Sequence, residues 1–283
     1  MVGGVAGGAS CAARLRRLDE AAEIVIFDRG PYVAFANCGL PYYVGDIIAD
    51  EQALLIASPA LFRDRFNIMV YTSTEVTAID RPGHTITVRD LETGQRRVER
   101  YDALVLSPGA APIQPDVPGV DLPGVFAVRS IPDSRRIREW ITGRHATRAL
   151  VVGGGFIGLE MVENLRHRGL AVTVLEKLSQ VMPPLDPEMA VPVAQHLSEQ
   201  GVQLHLGDGL ARIDEAPQGG LRVVAESGTP FLADLVILAM GVRPETALAD
   251  AADSASAPVG ASRSMPRCAH RTLGSGRWAT RSK

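Results

Sequence analysis

The stretch RALVVGGGFIGLEMVENLRHRGLAVTVLEK, residues 148–177, decides how this chain is expected to fold. Its apolar pattern predicts a buried strand, a glycine-rich turn, a helix and a second strand that ends at Glu176. The turn contains Gly153-x-Gly155-x-x-Gly158. The first glycine allows the tight turn, the second lets the backbone approach a pyrophosphate, and the third lets the helix pack closely on the strand. The spacing therefore predicts a dinucleotide-binding unit of the Rossmann type.

Glu176 gives this unit its expected nucleotide preference. It follows Gly158 by 18 residues, close to the spacing of about 20 at which an acid meets the ribose. A carboxylate there repels a 2′-phosphate, so NADH is favoured over NADPH. The candidate cofactor-binding residues of this unit are Gly153, Gly155, Phe156, Ile157, Gly158, Glu160 and Glu176.

The N-terminal stretch MVGGVAGGASCAARLRRLDEAAEIVIFDR, residues 1–29, repeats the plan of glycine loop, helix and strand. Asp28 lies 20 residues after Gly8, where an acid meets a ribose hydroxyl. Two features weaken the match: Val5 stands in the usual middle-glycine place, and the strand before the loop has room to begin only at Met1. The candidate cofactor-binding residues here are Gly3, Gly4, Val5, Ala6, Gly7, Gly8, Asp28 and Arg29.

Two further strands indicate where the chain passes between domains. YDALVLSPGAAP, residues 101–112, predicts a strand that ends in the turn Ser107-Pro108-Gly109, and FLADLVILAMGVRPE, residues 231–245, predicts a later one. The expected class is therefore α/β, with two Rossmann-like doubly wound domains, the second inserted into the first. The predicted bounds are 1–113 for the first domain, 114–240 for the inserted domain, 241–252 for the return and 253–283 for a tail.

Composition excludes several other kinds of protein. The formal net charge of −3 gives no electrostatic reason to expect nucleic acid or an anionic membrane as a partner. The three cysteines form no paired framework, and the scattered histidines predict no metal site. No signal peptide and no apolar run of about 18 residues is found, so we expect a soluble cytoplasmic protein.

The order and spacing of these motifs resemble a known family. VGGVAGGASCAARLRRLDE, FANCGLPYYVG, LVLSPGA, LVVGGGFIGLEMVENLRHRGL and GVRP follow one another as in the single-cysteine flavin-dependent disulfide oxidoreductases. The nearest members are the coenzyme A-disulfide reductases, with NADH oxidases, NADH peroxidases and CoA-persulfide reductases as relatives. The resemblance runs from Met1 to about Ala252.

This resemblance implies two cofactors and one redox cysteine. FAD is expected on the first glycine loop, with Ser107, Pro108 and Gly109, and NADH on the second. By the same resemblance, Cys38 is expected to act as the redox centre. Because the chain has no C-x-x-C pair, this thiol must carry either a mixed disulfide or a sulfenic acid. The mixed disulfide suits coenzyme A disulfide or a related small disulfide; the sulfenic acid suits the alternative, an NADH oxidase or peroxidase. The residues expected to contact coenzyme A are Ser10, Arg14, Arg17 and Asn37.

The tail DSASAPVGASRSMPRCAHRTLGSGRWATRSK, residues 253–283, departs from the family. Its composition predicts disorder. Codons for RCAHRTLGSGRWATRSK, started one base earlier, can encode MRTSDPGIWAVGDAVE, which is similar to the family's second flavin motif. The tail is therefore predicted to be out of frame, and the family's C-terminal dimerisation domain, which implies a homodimer, is expected to be missing. A non-catalytic dinucleotide-binding remnant is the alternative of another class.

Overall fold

The computed structural model describes residues 1–252, so the predictions for the tail lie outside the described residues. The helices are α1 (Gly7–Leu18), α2 (Leu40–Val44), α3 (Pro59–Phe66), α4 (Ile131–Arg144), α5 (Phe156–His167), α6 (Pro187–Glu199) and α7 (Ala247–Ala251). Short 3-10 turns cover Asn37–Gly39 and Glu51–Leu54. None of the helices in this range has both the length and the apolar character needed to cross a bilayer.

The strands alternate with helices in some stretches of the chain and follow one another directly in others. They are β1 (Ile24–Phe27), β2 (Ile68–Tyr71), β3 (Thr74–Asp80), β4 (Thr85–Asp90), β5 (Arg96–Arg100), β6 (Ala110–Pro112), β7 (Val125–Phe126), β8 (Arg148–Val152), β9 (Ala171–Glu176), β10 (Gln203–Leu206), β11 (Leu210–Glu215), β12 (Leu221–Ala225), β13 (Pro230–Ala233), β14 (Leu235–Leu238) and β15 (Val242–Pro244). The prediction of the fold class is confirmed.

The chain forms two compact units. The first unit comprises Met1–Phe35, Leu55–Ala110 and the return from Pro244, and the second comprises Ala36–Leu54 and Ala111–Arg243. The sequence-based bounds placed all of residues 1–113 in one domain, whereas Ala36–Leu54 packs with the second unit. The difference arises because the side chains of this segment pack on helices that come more than 80 residues later in the chain.

In the first unit, the strand expected before the glycine loop is reduced to one residue. Val2 forms parallel bridges with Phe27 and with Leu106. β1 and β2 pair in parallel, and β3, β4 and β5 form an antiparallel sheet. The strand predicted within residues 101–112 is present only as the bridge at Leu106 and as the short β6 after the turn.

The second unit is built on a five-stranded parallel sheet in the order β10-β9-β8-β14-β7. Its central strands are mainly apolar: all four residues of β14 and the last four of β8 are buried, because both faces of the sheet are covered. In β8, Ala149 and Val151 face the core under α5, while Leu150 and Val152 face the core under the β11–β13 meander.

Asp234, between β13 and β14, links the start of β14 to the start of β8 through hydrogen bonds. Its Oδ2 accepts hydrogen bonds from the backbone N–H groups of Thr147 and Arg148, both at 2.9 Å, and its Oδ1 accepts one from the Arg148 guanidinium at 2.8 Å. Burial raises the pKa of this carboxyl, but the bonds from Arg148 and Thr147 outweigh it and hold the pKa at about 2.

We expect Asp234→Asn to lower the free energy of unfolding at pH 7 by about 2 kcal/mol. This figure corresponds to the lowering of the Asp234 pKa from 3.8 to about 2 on folding. Because the folded pKa lies below the unfolded one, this stability is present above pH 4 and is lost as the pH falls towards 2. Urea unfolding between pH 7 and pH 3 measures it. The exposed Asp64→Asn is the control, and equal losses in the two variants would contradict the assignment.

Candidate dinucleotide cradles and redox cysteine

The first glycine loop is shaped by close backbone contacts that only glycine permits. Gly3 has a φ of +87°, and a Cβ added to it would lie 2.0 Å from the Ser107 carbonyl oxygen. A Cβ on Gly8 would lie 1.8 Å from the Gly3 carbonyl oxygen. The loop therefore turns sharply between the end of the sheet and the start of α1, as a phosphate-binding turn requires.

Asp28 stands beside this loop at the end of β1. The carboxylate is buried, its Oδ2 accepts a hydrogen bond from the Gly4 N–H at 2.7 Å, and its Oδ1 accepts one from the Gly30 N–H at 2.8 Å. A carboxylate has about four acceptor sites. Asp28 therefore retains acceptor capacity for a hydroxyl donor at the mouth of the loop.

The second glycine loop repeats this construction in the second unit. Gly153 has a φ of +107°, and its Cβ would lie 2.3 Å from the Ala239 carbonyl oxygen. A Cβ on Gly158 would lie 2.0 Å from the Gly153 carbonyl oxygen, whereas a Cβ on Gly155 would meet no atom within 4 Å. Two of the glycines are thus required by the fold itself, and the third borders open space.

Glu176 occupies the place in the second unit that Asp28 occupies in the first. It is buried at the end of β9, its Oε2 accepts from the Gly154 N–H at 2.6 Å, and its Oε1 accepts from the Leu178 N–H at 2.8 Å. The two units therefore present the same arrangement of glycine loop, helix start and buried acid.

Both loops lead into helices whose first N–H groups lack a side-chain cap. α1 starts after Ala6 and α5 after Gly155, and neither has an acid in its first turn. Uncapped N–H groups and the helix dipole favour an anion such as a pyrophosphate. The space at Gly155 is open, while the half-buried Val5 stands at the matching position of the first loop. The residues present therefore fit two dinucleotides.

The remaining predicted residues of the first unit surround its loop. The Ser107 N–H donates to the Val2 carbonyl and the Gly109 carbonyl accepts from the Glu245 N–H. Arg29 forms an ion pair with Glu245 at 2.8 Å. The sequence analysis did not identify Glu245 as the partner of Arg29. An acid directly after Pro244, the last residue of β15, could have suggested such a partner.

The first turns of α5 carry the other predicted residues of the second unit. Phe156 is 60% exposed and Ile157 is 39% exposed. Burial, followed by the negative charge of Glu163, raises the pKa of the Glu160 carboxyl. A groove of about 760 Å³ lies between α5 and α6, and Phe156, Glu160, Met182 and Leu197 are among its lining residues.

Cys38 is an exposed thiol in the 3-10 turn directly before α2, and Asn37 beside it is exposed as well. Cys11, on α1, is half-buried. Ser10, Arg14 and Arg17 are exposed on α1 at positions i, i+4 and i+7, so they share one face of that helix. The structure therefore groups the predicted substrate residues in two sets, three on α1 of the first unit and Asn37 next to Cys38 in the second.

Comparisons with known proteins show which proteins the chain is similar to. Residues 1–262 match the family model described as pyridine nucleotide-disulphide oxidoreductase. The coenzyme A disulfide reductase of Staphylococcus epidermidis is 37% identical over 246 residues, which is 87% of this chain and 54% of that protein. The chain thus spans about half the length of the curated relatives it matches.

Two solved structures are similar to the chain. The crystal structure of reduced Bacillus anthracis CoADR-RHD shares 46% identity with a TM-score of 0.88, covering 91% of this chain and 46% of that one. The structure of an NAD-dependent persulfide reductase from A. fulgidus shares 36% identity with a TM-score of 0.87, covering 92% of this chain and 48% of that one.

Proposed function

The chain belongs to the pyridine nucleotide-disulphide oxidoreductase family, and from this we propose that it serves NADH-dependent, FAD-dependent reduction of coenzyme A disulfide, or of a CoA persulfide, through Cys38. The observation that carries the proposal is the repeated geometry of glycine loop and buried acid. Gly4 donates to Asp28 at 2.7 Å in one unit, and Gly154 donates to Glu176 at 2.6 Å in the other. Two such sites suit one dinucleotide that stays bound and a second that binds and leaves in each cycle.

The first unit is proposed to hold FAD. The N–H groups of the first loop and of the start of α1 would hold the pyrophosphate, and Asp28 would accept from a ribose hydroxyl. The turn Ser107-Pro108-Gly109, which touches the loop through Gly3, would line the same site. When bound, FAD would supply two-electron chemistry between a reduced nicotinamide and a thiol–disulfide couple.

The second unit is proposed to bind NADH. The open space at Gly155 admits a pyrophosphate, and Glu176 would accept from the adenine-side ribose. Because this carboxylate is buried next to the loop, a 2′-phosphate there would meet an unscreened negative charge, which favours NADH over NADPH. Phe156, Ile157 and Glu160, on the exposed first turns of α5, would border the nicotinamide end.

Cys38 is proposed to perform the disulfide exchange. Its thiolate attacks one sulfur of coenzyme A disulfide, a bond forms between the two sulfurs, and one coenzyme A thiolate leaves. Two electrons and protons, supplied ultimately by NADH, then restore the Cys38 thiol and release the second coenzyme A. Arg14 and Arg17, exposed on one face of α1 with Ser10, offer positive charge for the phosphates of coenzyme A. Asn37 would contact the substrate beside the sulfur.

An NADH oxidase or peroxidase is the alternative enzyme, in which Cys38 cycles through a sulfenic acid. The exposure of Cys38 suits this chemistry too. The alternative of another class is a dinucleotide-binding remnant without catalysis.

We expect the purified 283-residue chain, supplied with FAD, to become yellow and to be bleached by NADH under anaerobic conditions. The bleached protein should then be reoxidised by coenzyme A disulfide, with release of about two thiols per molecule. Stopped-flow absorbance with a thiol assay measures both steps. An Arg14→Ala/Arg17→Ala double variant should slow this step about tenfold, with Arg65→Ala on α3 as the matched surface control.

Three outcomes would contradict parts of this proposal. Reoxidation by hydrogen peroxide alone would favour the oxidase or peroxidase. A colourless chain that still binds NADH would favour the remnant. Equal rates in the double variant and in the control would remove Arg14 and Arg17 from the substrate site.

A further inference from the structure

The segment that carries Cys38, residues 36–54, is here called the cysteine segment. It packs with the second unit, and its helix α2 has only five residues. A helix this short does not persist in water without tertiary contacts. The orientation of Cys38, directly before α2, therefore depends on what holds the cysteine segment against the second unit.

Apolar packing holds one side of α2. Val44 is fully buried in the core that includes Ile137 and Ile141 of α4 and Met161 of α5. The next residue, Gly45, lies so close to α5 that a Cβ on it would fall 2.3 Å from the Asn164 side-chain oxygen. Apolar packing of this kind is non-directional, so directional contacts have to come from polar groups.

Asp46 supplies the directional contacts. It has a φ of +63°, an uncommon conformation for a residue other than glycine. Its carboxylate forms an ion pair with Arg138 of α4, and its Oδ2 lies 3.3 Å from Arg168 Nε, just after α5. Arg168 is only 13% exposed and also donates to the Val44 carbonyl at 3.2 Å, at the last residue of α2. Asp46 therefore connects the end of α2 to both α4 and the end of α5.

Further contacts extend these connections along the segment. Arg138 donates to the Ala49 carbonyl at 3.2 Å, and its guanidinium lies 4.2 Å from the centre of the Tyr43 ring. Arg135 donates to both oxygens of Glu51, at 2.8 and 2.6 Å. Bidentate pairs of this kind are geometrically specific. Arg135, Arg138 and Arg168 are together called the arginine clamp.

We propose that Asp46, held by Arg138 and Arg168, is a positioning residue for Cys38. The arginine clamp makes the cysteine segment move as one body with the second unit, and so sets the direction from which a disulfide reaches the sulfur. The choice of coenzyme A disulfide as the substrate rests on the proposed function. The claim that Asp46 holds the cysteine segment against the second unit does not depend on that function. Asp46 touches no reacting atom and acts through α2.

The test compares Asp46→Asn and Asp46→Glu with the wild-type chain, and uses Asp64→Asn as the surface control. Hydrogen exchange of residues 40–48 is measured by mass spectrometry against β8 and β9 as internal references. The rate of Cys38 adduct formation in the reduced chain is measured with coenzyme A disulfide and with the small probe 4,4′-dithiodipyridine. Each reaction forms one disulfide at Cys38 and releases one thiol or thiopyridone.

In Asp46→Asn we expect exchange of residues 40–48 to accelerate about tenfold while β8 and β9 stay protected. The rate with coenzyme A disulfide should fall about fivefold relative to the rate with 4,4′-dithiodipyridine. Asp46→Glu should restore both quantities to within about twofold of wild type, because it keeps the charge. If Asp46→Asn does not fold, Arg138→Lys is used, since lysine keeps the charge but loses the bond to the Ala49 carbonyl.

Unchanged exchange and unchanged rates in Asp46→Asn would overturn the proposal. So would a parallel rise of exchange in β8 and β9 with equal changes for both probes, because that is a general loss of stability. If wild-type Cys38 forms no adduct with coenzyme A disulfide, the proposed substrate fails. The positioning role is then decided by the exchange data and by the 4,4′-dithiodipyridine rates of the Asn and Glu variants.

Discussion

Replacing Cys38 by serine is expected to abolish the reaction with coenzyme A disulfide, with a loss of at least about a thousandfold in rate. The hydroxyl oxygen of serine cannot form or store a disulfide bond with the substrate, and the other thiol within residues 1–252, Cys11, is half-buried on α1 of the first unit. Mass spectrometry of the adduct after mixing with coenzyme A disulfide measures the loss. Binding of NADH, followed by fluorescence, should be unaffected.

Cys11→Ser is the matched control for this prediction, and it should retain the adduct at Cys38. A Cys38→Ser chain that still forms an adduct at the wild-type rate would assign the chemistry to a different thiol. Loss of NADH binding in Cys38→Ser would instead show that the substitution disturbs the second unit as a whole.

Replacement by alanine is expected to have different effects at Gly158 and Gly155: a loss of stability at the first and a loss of NADH affinity at the second. A methyl group on Gly158 would lie 2.0 Å from the Gly153 carbonyl oxygen, which is backbone and cannot move aside cheaply. We expect Gly158→Ala to lower the free energy of unfolding of the second unit by about 3 kcal/mol. Urea unfolding followed by circular dichroism measures this change.

A methyl group on Gly155 meets no atom within 4 Å, and the residue has an extended backbone that alanine also adopts. Gly155→Ala should therefore keep wild-type stability. Its methyl group would stand where a pyrophosphate approaches the loop, so we expect the affinity for NADH to fall at least about tenfold. Wild-type affinity in Gly155→Ala would show that NADH does not bind at this loop, and wild-type stability in Gly158→Ala would contradict the close contact itself.

The second unit could be predicted from its sequence in some detail. The apolar run Ala149–Val152 and the glycines that follow it specify strand, turn and helix through local rules. Because each side chain of this run contacts one of two cores, the run has no polar residue, and this signal is visible in the sequence alone. The acids Asp28 and Glu176 were found in the same way, from their distance along the chain to a glycine.

Other features could not be predicted, because they depend on contacts between distant parts of the chain. The Arg29 pair with Glu245 joins residues 216 positions apart. Val2 completes the first sheet through two single bridges, a pattern too short to carry a periodic signal.

The two glycine loops and their acids could be found from the chain alone, since each rests on spacing within about 30 residues, whereas the resemblance, and not spacing, singled out Cys38 among the three cysteines. Contacts between distant segments place the cysteine segment with the second unit and pair Asp46 with Arg138 and Arg168, and no local pattern reveals them. The physical reason is that an arginine on a helix surface looks the same in sequence whether water or a carboxylate from another segment surrounds it. Only the folded chain brings these charges together.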